Sequence, residues 1–229
     1  SSSYKYSGGI LNGRSYVLGA PEFVLKEDYA KYKEIIENRG KDGYRVLAFG
    51  EYPGVLNGGA LVQPVRLLGL VLLANRIRAG AVDTFRYFAE RDVRIKVISG
   101  DNPVSVSAIA REAGIEGAEH FVDAATLKSD ADVAEAMKNY TVFGRVTPEQ
   151  KRQFVRVLKA QGETVAMTGD GVNDVLALKD ADCSIAMASG SEAATQVSQL
   201  VLLDSDFSRM PSVVMEGRRV VNNIERTAS

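Results

Sequence analysis

The sequence predicts an α/β protein: a parallel sheet with helices on both faces, plus a smaller mixed α/β part with antiparallel strands. Two observations predict this. From about Asn75 onward, short apolar runs alternate regularly with helix-length amphipathic runs. That alternation implies right-handed crossovers and a covered parallel sheet. Before that point the runs are short and separated by turn residues, as in antiparallel hairpins. The expected division is residues 1–73 and 74–229.

In the first part the strand candidates are "YKYSGGIL", "RSYVLGA", "YRVLAFGEY" and "VRLLGLVLL". Asn12-Gly13 between the first two signals a hairpin turn. Among them lies "EFVLKEDYAKYKEIIENRG", where Tyr29, Tyr32, Ile35 and Ile36 recur at helical spacing. Gly40 is expected to end that helix. In the second part a helix over 81–91 leads to the strand "RIKVIS", followed by a helix over 104–112. A short strand near Phe121, a helix over 131–137 and the strand "YTVFGRV" come next. The series continues with a helix over 148–160, the strand "TVAMT", a helix over 172–178 and the strand "CSIAMA". A helix over 192–198, the strand "LVLL" and a final helix over 208–226 complete it. In that last helix Val213, Val214, Val220, Val221 and Ile224 share overlapping faces, read as packing against the protein's own sheet.

With 229 residues the chain can bury a substantial core. Lys and Arg number 28 against 29 Asp and Glu, a net charge of −1. That near-balance gives no electrostatic case for a nucleic-acid partner. The single cysteine, Cys183, excludes an intrachain disulfide framework and a multi-cysteine zinc site. It reads as a small buried residue beside a strand. The longest apolar run, Leu67 to Ala74, falls well short of the ~20 residues a spanning helix needs. The start, "SSSYKYSGG", has no basic-then-apolar signal-peptide design.

Open parallel sheets bind ligands outside the carboxyl ends of their strands. Three such ends here carry chemistry. "KVISGDN" ends a strand with Ser99, Gly100 and Asp101. "TVAMTGDGVND" ends another with Asp170, Asn173 and Asp174. "GRVTPEQK" ends a third and sets Lys151 in the first turn of the next helix. A hydroxyl and turn N–H groups at Ser99 and Gly100 suit phosphate oxygens, and a lysine supplies charge for the same oxygens. Clustered carboxylates repel unless a cation sits among them, and Mg²⁺ takes one or two carboxylates plus phosphate and water. Asp170, supported by Asn173 and Asp174, therefore reads as a Mg²⁺ site. Alone, "GDN" is most often a turn with a helix N-cap, "GDG" a common turn, and Lys151 a solvated lysine. The combination, each member at a strand end, is what carries the reading.

With these residues in view, "TGDGVNDVLALKDADCSIAMASGS" closely resembles the hinge signature of P-type cation-transporting ATPases, whose phosphorylation domain has a haloacid-dehalogenase-like fold. "VISGDN" is similar to the family's phosphate-contacting Thr-Gly-Asp turn, with Ser99 for Thr. "FGRVTPEQK" is similar to its Phe-Ala-Arg-x-x-Pro-x-x-Lys stretch, which puts the catalytic lysine on Lys151. "YVLGAPEFVL" resembles the nucleotide domain's Lys-Gly-Ala-Pro-Glu motif, here with Gly19. "GYRVLAFG" and "SSSYKYSG" resemble strands holding a nucleotide-contacting arginine, here Arg45, and an ATP-contacting lysine, here Lys5.

The resemblance implies a pump in a cell membrane, with this segment on its cytoplasmic side. ATP is the substrate, Mg²⁺ the cofactor, an inorganic cation the cargo and an aspartyl phosphate the intermediate. It implies catalytic roles for Lys151, Ser99, Gly100, Asp101, Asn173 and Asp174, nucleotide binding at Lys5, Gly19, Arg45 and Arg78, and metal binding at Asp170 and Asp174. The Gly19-Ala20-Pro21-Glu22 motif points toward a Ca²⁺ or Mg²⁺ pump.

Several positions depart from the family pattern. The lysine of the Lys-Gly-Ala motif is Leu18, and the Asp-Pro-Pro-Arg hinge reads Asn75-Arg76-Ile77-Arg78. The phosphorylated Asp-Lys-Thr-Gly-Thr motif is absent, as are the Thr-Gly-Glu-Ser motif and the membrane helices. The chain thus reads as a cytosolic fragment lacking the central nucleophile strand. The slot so left is expected to be filled by rearrangement, by another chain or by further polypeptide. Two other readings stay open: a catalytically incomplete nucleotide- or Mg²⁺-binding module, and a free-standing dehalogenase-like phosphatase.

Overall fold

Asn12 and Gly13 both take left-handed backbone, φ 49° and 73°, the geometry a two-residue hairpin turn requires. The computed structural model describes residues 4–74 and 77–228. It divides into two units, Ser1–Arg76 and Ile77–Ser229.

In the first unit the turn joins β1 (Tyr6–Leu11) to β2 (Arg14–Gly19). Helices α1 (Pro21–Leu25) and α2 (Tyr29–Lys41) follow. Then β3 (Tyr44–Tyr52) and β4 (Arg66–Ala74) complete an antiparallel sheet of order β1-β2-β3-β4. Alternation along β3 decides the core. Val46, Ala48 and Tyr52 join Val17, Val24, Leu25 and Ile36 in one cluster. The other face of β2 and β3 stays open, with Tyr16 stacked on Phe49 at 5.8 Å between ring centroids. Gly40 does not end its helix: it is buried within α2, which runs to Lys41, and the left-handed residue is Gly43.

The second unit alternates helices with parallel strands. Its elements are α3 (Ala81–Ala89), β5 (Val97–Ile98), α4 (Pro103–Glu112), β6 (Phe121–Asp123), α5 (Asp130–Asn139), β7 (Val142–Gly144), α6 (Pro148–Ala160), β8 (Ala166–Gly169), α7 (Val175–Asp180), β9 (Cys183–Met187), α8 (Glu192–Val197), β10 (Leu200–Leu202) and α9 (Met210–Ala228). Two parallel three-stranded sheets form, β5-β7-β6 and β10-β9-β8. Neighbouring residues of β7 face opposite ways: Phe143 packs with Met137 of α5 and Phe154 of α6, and Val142 with Val106 and Ala110 of α4. In the other sheet, Met167 packs with Leu178 of α7, while Ile185 and Leu202 pack with Phe88 of α3 and Met210 of α9. Helices therefore cover both faces, as the strand–helix alternation predicts.

Among the described residues, β5 pairs only with β7, and β8 only with β9. Arg94, leading into β5, forms a salt bridge with Glu163, leading into β8. The amino ends of the two edge strands thus lie within reach of one ion pair. Of the three expected ways of filling the slot, rearrangement within this chain is not seen among the described residues, where no other strand pairs with either edge.

Two further expectations are corrected. Cys183 opens β9 and is exposed, not buried. On α9 only the first apolar residues pack: Val213 and Val214 join the Phe88 cluster, whereas Val220, Val221 and Ile224 stay exposed. No helix of the described residues is long and apolar enough to cross a membrane.

Candidate phosphate and metal site

The β8–α7 connection is built around Asp174. One carboxylate oxygen, Oδ1, accepts from Lys151 Nζ at 2.7 Å. The other, Oδ2, accepts the Gly171 N–H at 3.1 Å. Asp174 is buried, at 6% exposure, so an ionised carboxylate there needs these partners. Local sequence supplies the fit: a Cβ at Gly169 would stand 2.6 Å from Asp174 Cβ, closer than real Cβ atoms come. Thr147 and Gln150 form a reciprocal capping box at the start of α6. That cap fixes the first turn and with it the direction in which Lys151 reaches.

Asp170 sits differently. Its backbone carbonyl accepts the Ser191 N–H at 2.7 Å. Its exposed carboxylate has no hydrogen bond or ion pair among the described residues. Gly190 packs against it so closely that a Cβ there would meet the Asp170 carbonyl oxygen at 2.5 Å. Asn173 is also exposed.

At the end of β5, Ser99 Oγ accepts the Asp101 N–H at 3.1 Å. Because that oxygen accepts, its own hydrogen is left to donate. The Gly100 N–H likewise has no acceptor among the described residues. The loop is tied to the next strand end, where Val146 N donates to Ser99 O at 3.0 Å and Arg145 N to Asp101 O at 2.8 Å. Asn102 caps α4 through Val104 N at 2.9 Å. The β7–α6 connection is thus the physical link between the two loops. Its Val146 holds Ser99, and Lys151, five residues on, holds Asp174.

The remaining predicted residues lie elsewhere. Arg78 Nη1 donates to Ser205 O at 2.5 Å. Ser205 Oγ in turn accepts the Ser189 N–H at 2.8 Å, next to the Gly190–Ser191 turn that packs on Asp170. In the first unit Lys5 and Arg45 are exposed, and Leu18 is half-buried on the open face of β2. Gly19 is buried, and a Cβ there would meet Lys5 O at 2.5 Å. Asn75 and Arg76 lie outside the described residues. Sequence reasoning gave Gly190 and Arg145 no role and read Asn102 only as part of a turn with a helix N-cap. All three stand inside the quoted stretches, but only three-dimensional packing shows what Gly190 and Arg145 press against.

For metal, the donor set is sparse: no group of three His, Cys, Asp or Glu residues converges among the described residues. Asp174 is spoken for by Lys151 and Gly171. Asp170 fits as a single carboxylate donor of the kind Mg²⁺ accepts, with water and phosphate supplying the rest.

The fold places a lysine, a hydroxyl and two aspartates at or just beyond the carboxyl ends of parallel strands, the edge at which open α/β sheets generally take their ligands. Residues 5–182 match the haloacid dehalogenase-like hydrolases, and the chain belongs to that family. Its curated relatives are cation-transporting ATPases, as the motif resemblance implies. The whole chain is 46% identical to the calcium-transporting ATPase CtpE of Mycolicibacterium smegmatis, covering 29% of that protein. It is 44% identical, again over its whole length, to CtpE of Mycobacterium tuberculosis, covering 28%. Over 98% of the chain it is 32% identical to the cation-transporting ATPase pma1 of Synechocystis, covering 28%. The chain thus spans under a third of these relatives. A solved structure of the catalytic domain of the CPx-ATPase CopB-B aligns over 90% of this chain and 60% of that one, with a TM-score of 0.54 and 17% identity. That likeness speaks to the fold.

Proposed function

We propose that this chain is the phosphate-handling part, with some of the nucleotide-binding part, of an ATP-driven cation pump that forms an aspartyl phosphate. The observation that carries the reading is the bonded link between the two loops: Val146 of the β7–α6 connection holds Ser99, and Lys151 in the first turn of α6 holds Asp174. The names of the relatives favour Ca²⁺ as the cargo.

In this reading the Ser99 hydroxyl and the Gly100 N–H donate to phosphoryl oxygens. Lys151, anchored by Asp174, offsets charge on those oxygens, as phosphoryl transfer requires. Bound at Asp170, Mg²⁺ would supply further charge neutralisation for the phosphoryl group. Asp174 orients Lys151, and Asn173 lies exposed on the same loop. Asp101 holds the Ser99 turn through its backbone. Lys5 and Arg45 contact nucleotide, while Gly19 permits the close approach of β1 and β2. The nucleophilic aspartate comes from polypeptide outside this sequence, adding a strand between β5 and β8. By itself this chain binds without turnover. Membrane attachment and cation passage belong to the longer protein.

The decisive experiment uses Mg²⁺ and γ-labelled ATP. Acid-stable, hydroxylamine-sensitive label should be absent from this chain and present once the upstream strand is restored. In the complete pump, Asp170→Asn should abolish Mg²⁺-dependent label. Wild-type labelling of that variant would refute the assignment.

A further inference from the structure

Arg145, assigned to nothing so far, stands between the two loops. It is a non-glycine residue with left-handed backbone, φ 54°, a conformation that is unfavourable without compensation. Along an extended strand, successive N–H groups point to opposite sides. The left-handed turn at Arg145 breaks that alternation. Its own N–H and that of Val146 both donate into the Ser99–Asp101 loop, to Asp101 O at 2.8 Å and Ser99 O at 3.0 Å. The two bonds grip the loop at its first and last residues. The side chain runs the other way, with Nη1 2.5 Å from Asp123 Oδ2. Asp123 ends β6, and its second oxygen caps the following turn through Ala125 N at 2.9 Å. Gly144, one residue earlier, lies so close to Pro103 that a Cβ would overlap it. The backbone around Arg145 is therefore held on both sides.

We propose that Arg145 is a positioning residue for the 99–101 loop: its left-handed backbone aims two consecutive N–H groups at the loop, and its ion pair with Asp123 holds that conformation. This role presupposes that the loop faces phosphate, as in the function proposed above. Glycine accepts left-handed backbone freely, whereas a β-branched residue resists it. Arg145→Gly therefore keeps the grip and loses only the tether, while Arg145→Val loses both.

Two measurements test this. The first is amide hydrogen exchange at Val146 in the 229-residue chain. Exchange should quicken about tenfold or more in Arg145→Val and stay within about threefold of the parent in Arg145→Gly. Should the valine variant not fold, Arg145→Ala is read in its place. Equal exchange in the two variants would overturn the backbone role. The second is phosphorylation of the complete pump by inorganic phosphate with Mg²⁺. Arg145→Val should raise the half-saturating phosphate concentration about tenfold at an unchanged maximal level, with glycine restoring most of it. An unchanged half-saturation point in Arg145→Val would overturn positioning. Lys151→Ala, run in parallel, separates the two ideas. If it leaves half-saturation unmoved, the phosphate reading fails and the positioning role falls with it, whatever the exchange rates show of the grip itself.

Discussion

Lys151 Nζ stands 2.7 Å from Asp174 Oδ1, and both side chains are largely buried, at 17% and 8% exposure. The pair joins α6 to the turn after β8. Removing the lysine leaves a carboxylate with one N–H partner in a poorly hydrated place. Lys151→Met should cost about 2–3 kcal/mol of folding free energy, below the cost for a fully buried pair because the lysine keeps some water. Lys151→Met/Asp174→Leu should recover part of that loss. Urea unfolding of the two variants decides it. A double variant no more stable than Lys151→Met would mean that the carboxylate left without its lysine is not the source of the loss.

Glycine positions separate along the same logic. At Gly144 a Cβ would overlap Pro103, whereas at Gly9 it would meet nothing within 4 Å. Gly144→Ala should destabilise the chain by about 2 kcal/mol through overpacking. Gly9→Ala should stay within about 0.5 kcal/mol of the parent. Thermal unfolding of both variants provides the comparison, and similar midpoints would contradict it.

Acid should loosen the contact between α6 and α7. Asp180 Oδ2 accepts from Arg152 Nε at 2.8 Å and Arg156 Nε at 2.5 Å. The hydrogen bond from Arg152, reinforced by Arg156, holds the Asp180 carboxyl below its ordinary 3.8. Lys159, aided by the Val165 N–H, does the same for Asp182. A depressed carboxylate stabilises the fold above its unfolded value and loses that contribution as pH falls through the folded one. Stability from this cluster should therefore be intact at neutral pH and drain away below about pH 4. Asp180→Asn should flatten that part of the acid curve. An unchanged slope from about pH 5 to about pH 3, on either side of the ordinary carboxylate value, would show that the cluster does not contribute.

Leu18 occupies the open face of β2, paired in register with Phe49. A lysine there would restore a charge that the resemblance assigns to nucleotide. Leu18→Lys should tighten ATP binding by about tenfold, the scale of one charge-assisted hydrogen bond. Titration with ATP, ADP and AMP measures both affinity and adenine preference. No gain for ATP would remove this face from the nucleotide site.

Much of this was legible in the chain itself. Alternating apolar and amphipathic runs announced the parallel unit, because strands buried on both faces and their crossover helices have distinct periods. Asn12-Gly13 announced the hairpin, because few residues tolerate two left-handed positions in succession. The site residues could be named because their types are chemically scarce at strand ends. The misreadings have physical causes. Gly40 reads as a stop, yet it lies buried within α2, and the left-handed backbone after the helix falls at Gly43. Cys183 reads as buried, but as the first residue of β9 it lies at the rim of the sheet and is exposed.

The sequence alone determined the fold class, the order of the elements and the residue types available for phosphate and metal, since these follow from local pattern and side-chain chemistry. Tertiary structure decided how those residues divide the work. It engaged Asp174 with Lys151 and the Gly171 N–H, and left the Asp170 carboxylate exposed. It turned Arg145 left-handed so that two N–H groups meet one loop. These assignments depend on distances between segments far apart in the chain, set by packing of sheet and helix faces that no local pattern encodes.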